Sequence, residues 1–330
     1  MKMLFRELAK KLYFDACMFS GKRVKLMTTI ERQHYVPVLN FHRVSPHDNP
    51  FYPPMHPDVF RSALKILQKH FEFSVLDDID VPGRSEDVRP KMVVSFDDGY
   101  ADFVEYALPI LDELGIRANQ NIIPACVQSG LPPWNVRIYD FFQQAPLALI
   151  NEMDIPGFSD KMSAHDANAK AQYALRFTKF LNERSLSERA EALEIIDHGM
   201  RRVDTLVFTP MMTLKDCKEV QPYHDLGAHS FSHEAMALEN SGFFQDDFEK
   251  CADFFHENGL GKVGIYAFPY GSHTSEQVEY LLSKGVERIL LVEEKFALER
   301  KRMIPRFTMY GTTGNEVACR AMGLQSKGAI

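Results

Sequence analysis

The chain has 330 residues, of which 45% are apolar and 25% charged, an ordinary balance for a globular protein and enough length for one elaborate domain or two modest ones. Its formal net charge of −7 argues against a polyanion-binding surface, and so against nucleic acid as a partner. The five cysteines, Cys17, Cys126, Cys217, Cys251 and Cys319, are odd in number and include no Cys-x-x-Cys spacing, which fits reduced, buried thiols in a cytosolic protein and excludes a disulfide framework.

Residues 1–33 form a basic arm. Over the first 25 residues, Lys2, Arg6, Lys10, Lys11, Lys22, Arg23 and Lys25 stand against Glu7 and Asp15. Charges interrupt every apolar run before it reaches the length of a signal-peptide core or a membrane span, so neither is expected. Leu4, Leu8 and Leu12 share one face of a helix with basic neighbours, a pattern that suits peripheral contact with an anionic membrane surface. The alternative is a helix packed on the domain or a loose arm. The expected location is cytoplasmic, with or without contact at the inner membrane surface.

Beyond the arm, Tyr35-Val36-Pro37-Val38-Leu39-Asn40-Phe41-His42 reads as a first strand ending in a histidine. A proline-rich loop over 45–56 and a helix over about 58–70 follow, with Phe60, Leu64, Ile66 and Leu67 on the helix's apolar side. A short strand over 73–76 and a charged connection over 81–90 lead to Met92-Val93-Val94-Ser95-Phe96, a buried strand stopped by Asp97-Asp98-Gly99. Phe103, Tyr106, Ala107, Ile110, Leu111 and Leu114 then recur at helical spacing up to Gly115, and 117–124 is the next strand. Strands alternating with helices mean parallel pairing, with helices outside the sheet.

From about 126 to 207 the strand rhythm stops. A helix over 134–142 and a long polar helical stretch over 163–202 read as a helical insertion bordering the site, too long for an ordinary loop. The rhythm returns with a helix over 213–220, a strand over 226–229, a helix over 246–258 and a strand over 263–268. A helix over 275–284, strands over 288–292 and 303–309 and a last helix near 316–322 complete the chain. No unit of domain-repeat length recurs. Residues 34–330 therefore read as one α/β unit whose seven or so strands are enough to close a barrel.

Three stretches carry the chemistry. Asp97 and Asp98 end a strand, where α/β proteins keep their reacting groups, although Asp-Asp-Gly alone is equally a turn with Asp98 as helix N-cap. His229 and His233 follow the strand Leu226-Gly227-Ala228 and are predicted to share one helical turn, the spacing two imidazoles need to hold one metal ion. A carboxylate, Asp98 or Asp97, is the natural third ligand, and such a set leaves positions open for water and substrate. In Tyr266-Ala267-Phe268-Pro269-Tyr270-Gly271-Ser272-His273 a strand again ends in a turn, with the backbone N–H of Tyr270 facing the same rim.

In this order the three stretches resemble the polysaccharide deacetylases, the NodB-homology or carbohydrate esterase family four. That family runs Asp-Asp-Gly, then His-Ser/Thr-x-x-His, then a strand ending in Pro-Tyr/Phe, and the likeness here spans about residues 34–310, including Pro37-Val38-Leu39 and His42-Arg43-Val44. The resemblance implies an irregular (β/α) barrel of about seven strands. It implies one divalent metal, zinc first with cobalt, nickel or iron as alternatives, held by Asp98, His229 and His233. Asp97 is then the general base, Tyr270 donates its backbone N–H to the oxyanion, and Pro269 and the lone tryptophan, Trp134, border the sugar.

The pattern is broken twice. Ala267 stands where the family has an arginine that pairs with the base, and no histidine follows His273 to act as general acid. His42 is the expected acid, with His273 behind it, and Arg306 is the expected substitute for the arginine, read as part of the substrate side. The function expected is removal of an N-acetyl group from an amino sugar of a surface polysaccharide or lipid-linked precursor. A deformylase, O-acetyl esterase or small-amide hydrolase would use the same parts, and a catalytically impaired carbohydrate-binding protein is the alternative from another class.

Overall fold

A computed structural model describes residues 2–80, 89–162, 166–298 and 301–324. The charged connection over 81–90 thus lies outside the described residues, apart from its last two. In chain order the strands are β1 (Tyr35–Val36), β2 (Val38–Phe41), β3 (Glu72–Ser74), β4 (Lys91–Phe96), β5 (Ala118–Ile122), β6 (Asp225–Ala228), β7 (Ile265–Ala267), β8 (Arg288–Leu290), β9 (Ala297–Leu298), β10 (Met303–Ile304) and β11 (Phe307–Thr308).

Nine of them form one parallel sheet in the order β10-β8-β7-β6-β5-β4-β2-β11, with β3 against the start of β4. The two outer strands, β10 and β11, are separated by Pro305 and Arg306 alone. The chain itself therefore bridges the edges, with Leu291 N–H donating to Ile304 O (2.9 Å) on one side and Met309 N–H to Asn40 O (2.8 Å) on the other. Pro305 sits where the strand changes neighbours, the one place in a ladder where a missing N–H leaves nothing unpaired. The single strand expected over 303–309 is thereby two, and the curled sheet with its outer helices is the (β/α) barrel expected. A small antiparallel pair, β1 with β9, lies apart from this sheet.

Phenylalanines weld helices to the barrel. Phe41 and Phe96 on adjacent strands meet Phe60 of helix Pro57–Leu67 and Phe103 after β4, with ring centroids 4.9 to 5.8 Å apart, each ring contributing about 2–3 kcal/mol by burial. The helix expected after β4 opens as a π-turn, Phe103–Ala107, before the α-helix Leu108–Leu114. Pro109 lacks the N–H that would close a regular turn, and the wider turn, with Leu108 N–H on Phe103 O, absorbs that gap.

Between β5 and β6 the chain is helical: Pro124–Ser129, Trp134–Gln144, Leu147–Glu152, Ala167–Asn182, Leu186–Met200 and Leu214–Val220. It has an apolar cluster of its own, built on Trp134, Phe141, Phe142, Phe177, Leu181 and Ile196. The long stretch expected over 163–202 is broken at 183–185, where Ser185 caps the next helix reciprocally with Glu188. At the other end of the chain, helices Lys2–Met18 and Gly21–Gln33 are packed on the barrel and not loose. Phe14 and Met18 are buried in the main core, and Asn315 Nδ2 donates to Asp15 Oδ1 at 2.7 Å.

Candidate active site

The candidate residues collect at the carboxyl ends of the strands. Asp97 and Asp98 follow β4, His42 follows β2, His229 follows β6, and Pro269 and Tyr270 follow β7 by one residue. Five non-glycine residues among those described have positive φ, and four of them, Asp98 (75°), Ser230 (57°), His233 (60°) and Tyr270 (58°), lie in these segments. Side chains in the left-handed region store strain, and such strain gathers where a site over-determines the backbone. Gly99 follows Asp98 at φ 76°, and a Cβ there would meet Ile122 Cγ2 at 3.2 Å, so the turn that swings Asp98 inward favours glycine next to it.

His229 and His233 do not share a helical turn. Residues 229–235 are irregular, and the left-handed Ser230 and His233 fold the loop back so that both rings meet. Asp247, on helix Ser241–Glu257, explains why: its carboxylate accepts the N–H groups of Phe231 (2.8 Å) and Ser232 (3.1 Å) and the Ser232 hydroxyl, so these donors have no call on a helical carbonyl. Ser230 Oγ accepts from His233 N–H at 2.7 Å. His229 Nδ1 lies 2.8 Å from Ala267 O and His233 Nδ1 lies 3.2 Å from the Tyr270 hydroxyl, which leaves both Nε2 atoms facing inward.

Those two Nε2 atoms stand 3.3 and 3.2 Å from Asp98 Oδ1, and one ligand atom from each of the three residues lies within 4.8 Å of the others. Asp98 Oδ1 is buried and has no hydrogen-bond partner. A buried carboxylate oxygen left unpaired between two inward imidazole nitrogens is costly for a protein alone, and it fits a divalent cation of the imidazole-and-carboxylate class. Burial pushes the Asp98 carboxyl up, but the two imidazoles beside it, His229 and His233, outweigh it and hold the group well below the usual range.

Asp97 is held in the opposite way. Its Oδ1 accepts from Arg306 Nη1 and Asn121 Nδ2, both at 2.8 Å, and its Oδ2 from Arg306 Nη2 (2.7 Å) and Asn40 Nδ2 (3.0 Å). Burial would raise its carboxyl, but the Arg306 guanidinium, with His229 behind it, keeps it strongly depressed and so ionised. Arg306 also donates through Nε to Leu291 O and through Nη1 to Asn40 Oδ1 and Ser95 Oγ. It is wholly buried, so it does not stand on the substrate side as expected: its donors are spent on Asp97 and the barrel wall.

A cavity of about 700 Å³ opens above these groups, floored by Asp97, Asp98, His229 and His233 and walled by His42, Arg43, Tyr52, Tyr139 and Tyr270. Two residues expected at the sugar do not line it. Trp134 is buried in the insertion with the Arg189 guanidinium over its ring at 4.2 Å. Pro269 is buried. His273 also stays out of the cavity, its Nδ1 2.9 Å from Gly271 O and its ring against Phe268.

Sequence reasoning missed Asn40, Asn121, Arg43 and Asp247. Asn119-Gln120-Asn121 was the available signal, since three carboxamides in a row in a buried strand have to bond to something. Arg43 beside His42 was another. Its Nε donates to Asp102 Oδ2 at 2.8 Å, and Asp102 is pushed up to about 6 by burial, with Arg43 pulling it down.

Comparison with known proteins follows the same lines. Residues 168–289 match the family model described as polysaccharide deacetylase, a region that contains His229, His233 and Tyr270 but ends short of Arg306 and begins after Asp97 and Asp98. No curated protein matches the chain. Among solved structures, the Streptococcus pyogenes deacetylase PplD in complex with acetate is 13% identical, with 87% of this chain and 98% of that one covered and a TM-score of 0.57. IcaB from Ammonifex degensii is 17% identical over 87% and 97%, with a TM-score of 0.55. BC0361, a polysaccharide deacetylase from Bacillus cereus, is 12% identical over 87% and 69%, with a TM-score of 0.53. At these identities the likeness is one of fold.

Proposed function

Proceeding from a chain that resembles the polysaccharide deacetylases in a family region and in fold, we propose that it is a metal-dependent hydrolase that removes an N-acetyl group from an amino sugar. Its substrate is a surface polysaccharide or a lipid-linked precursor of one. The observation that carries this reading is the pairing of two adjacent buried carboxylates with separate surroundings: Asp98, unpaired beside two imidazoles, and Asp97, ionised and held by Arg306.

Asp98, His229 and His233 would hold the metal, with zinc first and cobalt, nickel or iron as alternatives. When bound, it supplies Lewis acidity, polarising an amide carbonyl and bringing the pKa of water to about 7. Asp97 takes the proton of the attacking water, and the grip of Arg306 and Asn40 keeps its carboxylate anionic and in place for that step. The Tyr270 backbone N–H donates to the developing oxyanion. His42, on the cavity wall, gives a proton to the leaving amine.

Two features support an active enzyme over an impaired binding protein. Arg306 reaches Asp97 from the far end of the chain and answers the alanine at position 267, while His42 lines the cavity and answers the absent late histidine. The test is metal content together with acetate release from N-acetylated oligosaccharides. We expect about one metal per chain and acetate as product, with Asp98→Ala losing both. A purified protein devoid of metal whose hydrolysis is untouched by Asp98→Ala would end the proposal, and formate in place of acetate would redirect it to a deformylase.

A further inference from the structure

We propose that the two N-terminal helices form a docking surface for an anionic lipid bilayer, and that it sits beside the mouth of the cavity. Residues 1–33 hold eight lysines and arginines against three acids, a balance of +5, in a chain whose net charge is −7; the remaining residues therefore carry −12. A segment this basic in an otherwise acidic chain is drawn to an anionic surface, while the rest of the chain is repelled by it.

The same helices carry apolar side chains that nothing covers. Leu8, Leu12, Tyr13, Phe19 and Val24 are 55 to 88% exposed, and they make up five of the fifteen exposed large apolar side chains among the described residues. They are not poorly packed leftovers, because the opposite side of helix Lys2–Met18 is well buried through Phe14 and Met18. Phe19 is the most exposed of them and stands at the turn between helix Lys2–Met18 and helix Gly21–Gln33. An aromatic at the turn between two helices, with Lys11 and Lys25 exposed on the helices to either side, is the arrangement expected of a surface that sinks to the depth of lipid headgroups. Among the described residues no helix is long and apolar enough to cross a membrane, so the contact is peripheral.

The position of this face relates it to the site. Lys10, on the same helix as Leu8 and Leu12, lines the cavity and pairs with Glu316 at 2.9 Å, and the exposed Tyr310 lines the cavity next to it. The helix that presents this face thus also lines the cavity, through Lys10, so the docked bilayer and the site share one element. The docking itself stands whether or not the site is a deacetylase.

The experiment is co-sedimentation of the full chain with phosphatidylcholine vesicles, with and without about one third phosphatidylglycerol, at low and high salt. We expect binding to the anionic vesicles that salt weakens and little binding to neutral ones. Leu8→Glu with Leu12→Glu, Phe19→Ser, and Lys11→Glu with Lys25→Glu should each lower the bound fraction by about tenfold. Hydrolysis of a water-soluble N-acetylated oligosaccharide should be unchanged in all three variants, since none touches the site. Wild-type protein that stays in solution with anionic vesicles, or variants that bind as well as wild type, would overturn the inference. So would a dimer in sedimentation velocity that these substitutions dissociate while no vesicle binding is seen, because the apolar face would then belong to a second copy.

Discussion

The barrel and the helical insertion both grip the loop that carries His229 and His233, and they do so by different physics. From the barrel side, Asp247 accepts two backbone N–H groups and a hydroxyl, so that one carboxylate is shared among local donors. From the insertion side, Arg189 is ion-paired with Glu234, the residue after His233, and both are buried, with Trp134 stacked on the guanidinium. Leu186 N–H adds a hydrogen bond to Glu239 Oε1 at 2.6 Å. The first clamp is a turn that any loop of this shape could make. The second joins segments far apart in sequence through two desolvated charges, each depending on the other. Although no described residue of the insertion belongs to the group of Asp98, His229 and His233, the insertion is therefore coupled to the loop that carries both histidines.

The largest effect is expected inside the barrel. Arg306→Leu leaves Asp97 buried with its charge uncompensated, a loss of about 3–5 kcal/mol of stability, measured by urea denaturation, and hydrolysis should fall at least a hundredfold with it. Arg306→Lys should recover little, because a single ammonium cannot reproduce the two-pronged contact. If Arg306→Leu behaved like wild type, the barrel would not owe its site to this pair.

Next comes the insertion. Arg189→Met should cost about 3 kcal/mol by orphaning Glu234, and Arg189→Met combined with Glu234→Leu should regain most of it. The lone tryptophan makes the contact visible: emission from Trp134 should change in Arg189→Met even where the fold is retained. A double variant no more stable than the single one would mean that the insertion is merely docked on the loop and does not clamp it.

The smallest effect belongs to the opposite end of the barrel. Asp225, at the start of β6, is pushed up to about 6 by burial, with Arg117 pulling it down and Asp77 and Asp78 adding to the rise. Its folded value lies above the unfolded one near 4, so the folded state binds this proton more tightly. The contribution is fully present below about pH 4 and is lost as pH rises through 6. Asp225→Asn should flatten stability over that window, with a gain on the order of 1 kcal/mol at neutral pH. Thermal melts at pH 4, 5, 6 and 7 check it, and an unchanged slope would remove Asp225 from the account.

Much of the fold was legible because its signals are local. Alternating apolar runs and helical spacings marked the parallel strands and outer helices, and strands ending in Asp97-Asp98 and in His229 marked the carboxyl-end rim. What failed turned on partners or pairings that the local pattern does not show. The helical turn expected at His229 and His233 is displaced by donors bound to Asp247, the strand over 303–309 is split at Pro305, and Trp134, singled out for being alone, is buried under an arginine 55 positions away. The buried network of Asn40, Asn121 and Asp97 left only a faint mark in a strand with three carboxamides.

Residue type and order along the chain determined by themselves that acids and imidazoles would stand at strand ends, since a buried strand has to stop where charge begins. Only the tertiary structure decided which strand ends are neighbours. The parallel order of the sheet sets β11 beside β2 and brings Arg306 to Asp97 across 209 positions. No periodicity in the chain encodes that meeting, because it depends on where the sheet closes and not on any segment alone.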